Sequence, residues 1–196
     1  MSKLTAIAVF CGSSPSNDDT IFRAAYGVGK HLATHKLDIV FGGSKLGLMG
    51  QVAQGALDEG GNVIGVIPEF LRTKEVVHNH LTELIITDSM QERKLKMHEL
   101  SDGIITLPGG FGTFEELFEM LTWAQLGLHK KPIGILNTNG YYDDLLVMLK
   151  TMVNKELLTK ENFELLLVDS DLDQLIKKME NFTPLPVPEW MNKDQA

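Results

Sequence analysis

The chain has 196 residues, 43% of them hydrophobic and 22% charged, with a formal net charge of −8. That length and composition suit one globular domain around a single large core. The acidic balance argues against a nucleic-acid-binding surface, because phosphate neutralisation needs clustered Lys and Arg; a local basic cluster can still hold a small anion. Cys11 is the only cysteine, which excludes an intrachain disulfide and makes the cytoplasm the expected compartment.

In chain order, Leu4–Phe10 is apolar enough for a strand buried on both faces. It is too short to span a bilayer, and Phe10 is a poor signal-cleavage position, so neither a leader nor a membrane association is expected. Cys11-Gly12-Ser13-Ser14-Pro15 closes it, and Asn17–His35 then carries Ile21, Phe22, Ala25, Val28 and Leu32 near a helical period. Leu37–Phe41 is a second strand, ended by Gly42-Gly43-Ser44-Lys45-Leu46-Gly47, and a helix over Leu48–Glu59 stops at Gly60-Gly61. Asn62–Ile67 is a third strand, and Glu69–His80 reads as a loop with one helical turn.

Glu83–Thr87 is a fourth strand followed by a helix over Ser89–Leu100. Gly103–Leu107 is a fifth, leading through Pro108-Gly109-Gly110-Phe111-Gly112-Thr113 into a helix that reaches Leu126. Pro132–Leu136 and Glu164–Val168 are two further strands, alternating with helices over Tyr141–Asn154 and Asp171–Asn181. Residues 1–181 form one Rossmann-like domain on this reading, and 182–196, with Pro184, Pro186 and Pro188, an extended tail. Alternating strands and helices predict a doubly wound α/β fold: a mostly parallel sheet of about seven strands in a three-layer sandwich. Such sheets bind ligands beyond the carboxyl ends of their strands, where three glycine- or serine-rich turns fall here.

The familiar nucleotide motifs fail in detail. Gly42–Gly47 lacks the Gly-Lys-Ser/Thr of a Walker loop, and no Gly-x-Gly-x-x-Gly follows the first strand. His78 and His80 have no partner at a recognisable ligand spacing, so no metal site is expected. The Pro108–Thr113 turn, in contrast, presents glycines where an anion must approach and a helix start whose N–H groups lack intrahelical partners. Glu116 then falls in the first helical turn, either as a carboxylate for chemistry or as a capping-box partner of Thr113. Ser89 and Glu92 also have capping-box spacing, placing Arg93 and Lys94 at a helix start where cations are disfavoured unless an anion lies close.

Pro108-Gly109-Gly110-Phe111-Gly112-Thr113-Phe114-Glu115-Glu116 resembles the Pro-Gly-Gly-x-Gly-Thr-x-x-Glu signature of the LONELY GUY family, the cytokinin riboside 5′-monophosphate phosphoribohydrolases often mislabelled lysine decarboxylases. Met90-Gln91-Glu92-Arg93-Lys94 resembles the family's Met-x-x-Arg-Lys element, and Gly42-Gly43 with Gly47-Leu48-Met49-Gly50 its second glycine turn. The resemblance covers roughly Leu4 to Asn181; Ser44-Lys45 departs from it where many relatives carry a third glycine.

The resemblance implies hydrolysis of the N-glycosidic bond of a nucleoside 5′-monophosphate, a cytokinin riboside 5′-monophosphate or AMP, without metal or cofactor. Glu116 and Arg93 are the implied catalytic pair, with Lys94 in support. Gly110, Phe111, Gly112 and Thr113 would hold the 5′-phosphate, and Phe114 and Glu115 complete the motif. Glu75 is carried over by matching position as a substrate contact. Gly43, Ser44, Ser13 and Met90 are further pocket candidates, and Met90, Phe111 and Trp123 are candidates to face the base. A homodimer is implied. The alternatives are a non-catalytic nucleotide or cofactor carrier, and a true lysine decarboxylase, for which no pyridoxal phosphate lysine is recognisable.

Overall fold

The computed structural model describes residues 4–72 and 76–186. Its strands are β1 (Ala6–Phe10), β2 (Asp38–Phe41), β3 (Val63–Pro68), β4 (Glu83–Thr87), β5 (Gly103–Thr106), β6 (Ile133–Leu136) and β7 (Leu166–Asp169). They form one seven-stranded sheet in the order β4-β3-β2-β1-β5-β6-β7, with every pairing parallel. The chain therefore starts in the centre, builds outward through β4, and crosses back beside β1 to build the other half from β5. The junction of β1 and β5 is the switch point, where the loops diverge to opposite faces and leave a crevice.

The helices are α1 (Asp19–Thr34), α2 (Gly47–Asp58), α3 (Met90–Glu99), α4 (Phe111–Gln125), α5 (Asp143–Asn154), α6 (Lys160–Phe163) and α7 (Leu172–Glu180). Strand residues alternate between two cores, as the two-residue period of a strand requires. Ile7, Val9, Ile39, Phe41 and Ile105 pack with α1, α2 and α7 on one face. Ala8, Phe10, Val40, Val66 and Ile104 pack with α3, α4 and α5 on the other. This is the doubly wound three-layer fold expected from the sequence, with the sheet wholly parallel.

Local chemistry explains the element ends. Asp18 caps α1 by accepting from the N–H groups of Thr20 and Ile21, which offsets two of the orphan donors at a helix start. Helices α1 and α2 touch backbone to backbone: a Cβ on Gly29 would lie 1.9 Å from the Val52 carbonyl oxygen, and one on Gly55 2.1 Å from that of Tyr26. The expected helical turn after β3 is a 3-10 turn at Glu69–Leu71, and the short α6 was absent from the sequence reading. Four residues are too few to show a helical period. Only residues 182–186 of the expected tail are described, and they carry no regular structure.

Candidate active site

A cleft of about 690 Å³ opens over the carboxyl ends of β1, β2 and β5. Its walls come from the turn after β1 (Cys11–Ser16), from Gly42, Ser44 and Leu46 after β2, and from Pro108–Thr113 after β5. Arg93, Glu116 and Tyr141 reach it from α3, α4 and the segment before α5. The predicted turns thus converge at the switch point, where the physics of parallel sheets puts a ligand.

Glu116 is the sixth residue of α4, in its second turn, rather than in the first as expected. Gly110 is the N-cap, so the helix starts at Phe111, before Thr113, and no side chain caps it. Thr113 is therefore inside the helix and makes no capping box with Glu116, which removes the capping explanation for that carboxylate. Among the described residues, the N–H groups of Phe111, Gly112 and Thr113 have no protein acceptor. They open on the cleft beside Pro108–Gly110.

Arg93 Nη1 lies 3.3 Å from Glu116 Oε1, with both side chains about nine-tenths buried. The guanidinium is fixed from two further sides. Its Nε donates to the Val66 carbonyl at 3.0 Å, and it fills the space over Gly42, where a Cβ would lie 2.0 Å from Nη2. That glycine is thus a requirement of the arginine's position. Burial raises the Glu116 carboxyl to about 6, against the opposing pull of Arg93. A carboxyl poised there is mostly ionised at neutral pH yet basic enough to take a proton.

The start of α3 follows the predicted box. Ser89 Oγ accepts from the Glu92 N–H at 3.1 Å, and Glu92 Oε2 accepts from the Asp88 N–H at 2.8 Å. Lys94 faces away from the cleft wall and pairs with Glu115 and, at 2.9 Å, with Glu119. Burial pulls its ammonium down, but the two carboxylates outweigh it and hold it above its ordinary value. The anions that justify cations at this helix start are therefore three glutamates of α4, which lock α3 against α4 and so hold Arg93 opposite Glu116.

Other expected site residues divide in the same way. Ser13, Gly110, Phe111, Gly112 and Thr113 line the cleft, with Phe111 95% exposed. Ser44 lines it too, but its hydroxyl accepts from the Leu46 N–H at 3.1 Å. Gly43 does not; it is buried with φ +74° and accepts from the His78 N–H through its carbonyl. Phe114 packs edge-on against Tyr142 in the core. Met90 is half-buried with its sulfur 3.9 Å from Arg93 Nη1, and Trp123 stands edge-on to His98. Neither lines the cleft, so of the three candidates for the base only Phe111 does. Glu75 lies outside the described residues.

Sequence reasoning missed Tyr141 and Cys11. The Tyr141 hydroxyl donates to the Gly109 carbonyl at 2.7 Å, pinning the glycine turn, and Tyr142 does the same to Leu107. Adjacent tyrosines after an apolar strand were the available signal. Cys11 lines the cleft fully buried, and burial, with Glu116 adding, pushes its thiol well above the ordinary range. It is a neutral wall, since the thiolate is the reactive form.

Fold and site together define a protein of the doubly wound α/β class whose switch-point cleft holds an Arg–Glu pair beside an uncapped glycine turn. A family model described as "Possible lysine decarboxylase" matches residues 49–179. The probable cytokinin riboside 5′-monophosphate phosphoribohydrolase LOGL9 of Oryza sativa subsp. japonica is 42% identical, over 94% of this chain and 81% of that protein. Cytokinin riboside 5′-monophosphate phosphoribohydrolase LOG2 of Arabidopsis thaliana is 38% identical, over 93% of this chain and 86% of that protein. The chain belongs to this LONELY GUY family. Among solved structures, the molybdenum cofactor binding protein of Rippkaea orientalis superposes with a TM-score of 0.69 at 20% identity, covering 92% of this chain and 98% of that one. That likeness shows the shared fold.

Proposed function

We propose that the protein hydrolyses the N-glycosidic bond of nucleoside 5′-monophosphates, cytokinin riboside 5′-monophosphates or AMP, releasing the free base and ribose 5-phosphate. The observation that carries this reading is the buried Arg93–Glu116 pair at 3.3 Å on the wall of the cleft. Relatives about 40% identical over nearly the whole chain carry the names of such enzymes.

In this reading the 5′-phosphate sits on the N–H groups of Phe111, Gly112 and Thr113, which have no partner of their own. The ribose then lies over Glu116. As the C1′–N bond breaks, positive charge develops on the sugar, and the carboxylate stabilises it at short range in a water-poor wall. Glu116 orients the attacking water and takes its proton; the oxygen becomes the C1′ hydroxyl, and the base nitrogen receives a proton in turn. Arg93 stays protonated throughout and acts by holding Glu116 and the sugar. The apolar wall formed by Ile67, Leu71 and Val76 offers a surface for the base and any prenyl group.

Glu75 is retained as a substrate contact on the strength of its matching position in the family alone. Lys94 and Glu115 take the role of positioning residues. A homodimer and a cytoplasmic location complete the proposal; a chain with one cysteine suits a reducing compartment. A carrier function would need the cleft but not a carboxylate held beside the sugar, so the pair favours the enzyme. Incubation with a panel of nucleoside 5′-monophosphates and the matching nucleosides, followed by chromatography of free base, tests this. Base released from the monophosphates alone supports it; release from nucleosides only, or none at all, overturns it.

A further inference from the structure

A cluster of metal-ligating groups lies away from the cleft, in the helix layer of α1, α2 and α7. His31 and His35 are four residues apart near the end of α1, so both imidazoles rise from one face of the helix. Their rings stack with centroids 4.1 Å apart. Asp173, in the first turn of α7, completes the group: the three side chains bring one donor atom each within 4.8 Å of one another. None of the three lines the cleft.

Histidines at a helix C-terminus have an ordinary explanation in the helix dipole, but two features here go beyond it. His31 Nε2 and Asp173 Oδ1 are 3.3 Å apart. Two ligands at Zn–N and Zn–O lengths of ~2.0–2.1 Å in a tetrahedral site stand about 3.3 Å from each other, so this edge already has the bound spacing. The His35 tautomer also suits ligation, and the two stacked rings need only swing apart for both to face one ion. His35 Nδ1 lies 2.8 Å from the His31 carbonyl oxygen, to which it must donate, so the lone pair is on Nε2. A backbone carbonyl fixing the tautomer in this way is the usual support behind a metal-bound histidine.

We propose that His31, His35 and Asp173 form a zinc site that ties α1 to α7, with its remaining coordination position open to water. The His₂-carboxylate donor set suits zinc and other late first-row divalent ions and is ill suited to magnesium or calcium. The site is independent of the cleft chemistry; it cross-links two helices of the layer that covers one face of the sheet. Because the ion binds the folded chain, it stabilises it by mass action.

The test uses the untagged protein, titrated with Zn²⁺ in competition with a chromophoric chelator, and with Co²⁺ for its visible absorption. One Zn²⁺ per chain is expected, at least tenfold weaker in His35→Gln and in Asp173→Asn. The thermal midpoint should rise with Zn²⁺ in the wild type and not in Asp173→Asn, while base release from nucleotides is the same in both. His78→Gln/His80→Gln should bind as the wild type does. No uptake at micromolar Zn²⁺, or equal affinity in Asp173→Asn, would overturn the site, as would loss of binding in the His78/His80 variant alone.

Discussion

The chain has two glycine-rich turns that each lead from a strand into a helix, and the fold uses them oppositely. At the start of α2, the N–H groups of Leu48 and Met49 donate to the Gly12 carbonyl, at 3.0 and 3.3 Å. The protein has thereby filled its own anion site, and the turn serves to clamp the loop after β1. At the start of α4, Gly110 brings no side chain and the first-turn donors remain open. The sixth residue of each helix completes the contrast: Val52 is buried in the core, whereas Glu116 is aimed into the cleft. Similar local sequence thus gives a structural joint in one place and a ligand cradle in the other, decided by whether a neighbouring carbonyl reaches the helix start.

The largest test of this contrast is Glu116→Gln. It should lower the rate of base release by about 10³-fold, within the range for loss of a general base, while nucleotide binding changes only a few-fold. Turnover close to wild type would remove Glu116 from the chemistry and erase the functional difference between the two helices.

Next in size is the structural joint. A Cβ on Gly50 would lie 2.0 Å from the Lys45 carbonyl oxygen, and Gly47 combines φ +56° with a Cβ 2.4 Å from the Ser13 backbone. Gly50→Ala should therefore cost about 3 kcal/mol, at the upper end for overpacking against backbone, read by urea unfolding. An unchanged midpoint would show that the joint is looser than the geometry implies.

The pH dependence follows from the buried carboxyl. The active form is the carboxylate, so kcat/KM should fall as pH drops through about 6, by about tenfold per pH unit below it. The stability sign is the reverse. The folded carboxyl lies above its ordinary 4.5, so between about 4.5 and 6 the folded chain holds protons that the unfolded chain has lost. Glu116 thus weakens the fold as pH rises through that window. A pH–rate limb near 4.5 would break the assignment.

The smallest effect separates the turns most cleanly. A Cβ on Gly112 meets nothing within 4 Å in the protein. Gly112→Ala should leave thermal stability unchanged or slightly higher, since alanine favours a helix, yet raise KM for the nucleotide several-fold by crowding the phosphate. Loss of stability in Gly112→Ala, or no change in KM, would make the second turn a joint like the first.

How far the sequence could be read depends on the range of the interaction. Strand and helix periods located nearly every element within a few residues, because burial on a two-residue or 3.6-residue repeat is written locally. The Ser89–Glu92 box was legible for the same reason. The start of α4 was not: Gly110 and Thr113 are both plausible caps, and choosing between them needs the backbone path. Phe114, Glu115 and Lys94 stand inside or beside the motif, but which side of α4 each faces depends on helices that meet only after folding. The adjacent tyrosines flag Tyr141, but not its role, because its partner, the Gly109 carbonyl, is 32 positions away.

The sequence alone determined the layer order of this protein, its glycine turns and the residues able to do its chemistry, since each is set by neighbours along the chain. Tertiary structure alone decided that Arg93 and Glu116 meet, that Gly42 makes room for the guanidinium, and that one helix start is closed while the other stays open. Those outcomes depend on distances of a few ångströms between segments far apart in sequence, and only the crossing of the chain at β1 and β5 brings those segments together.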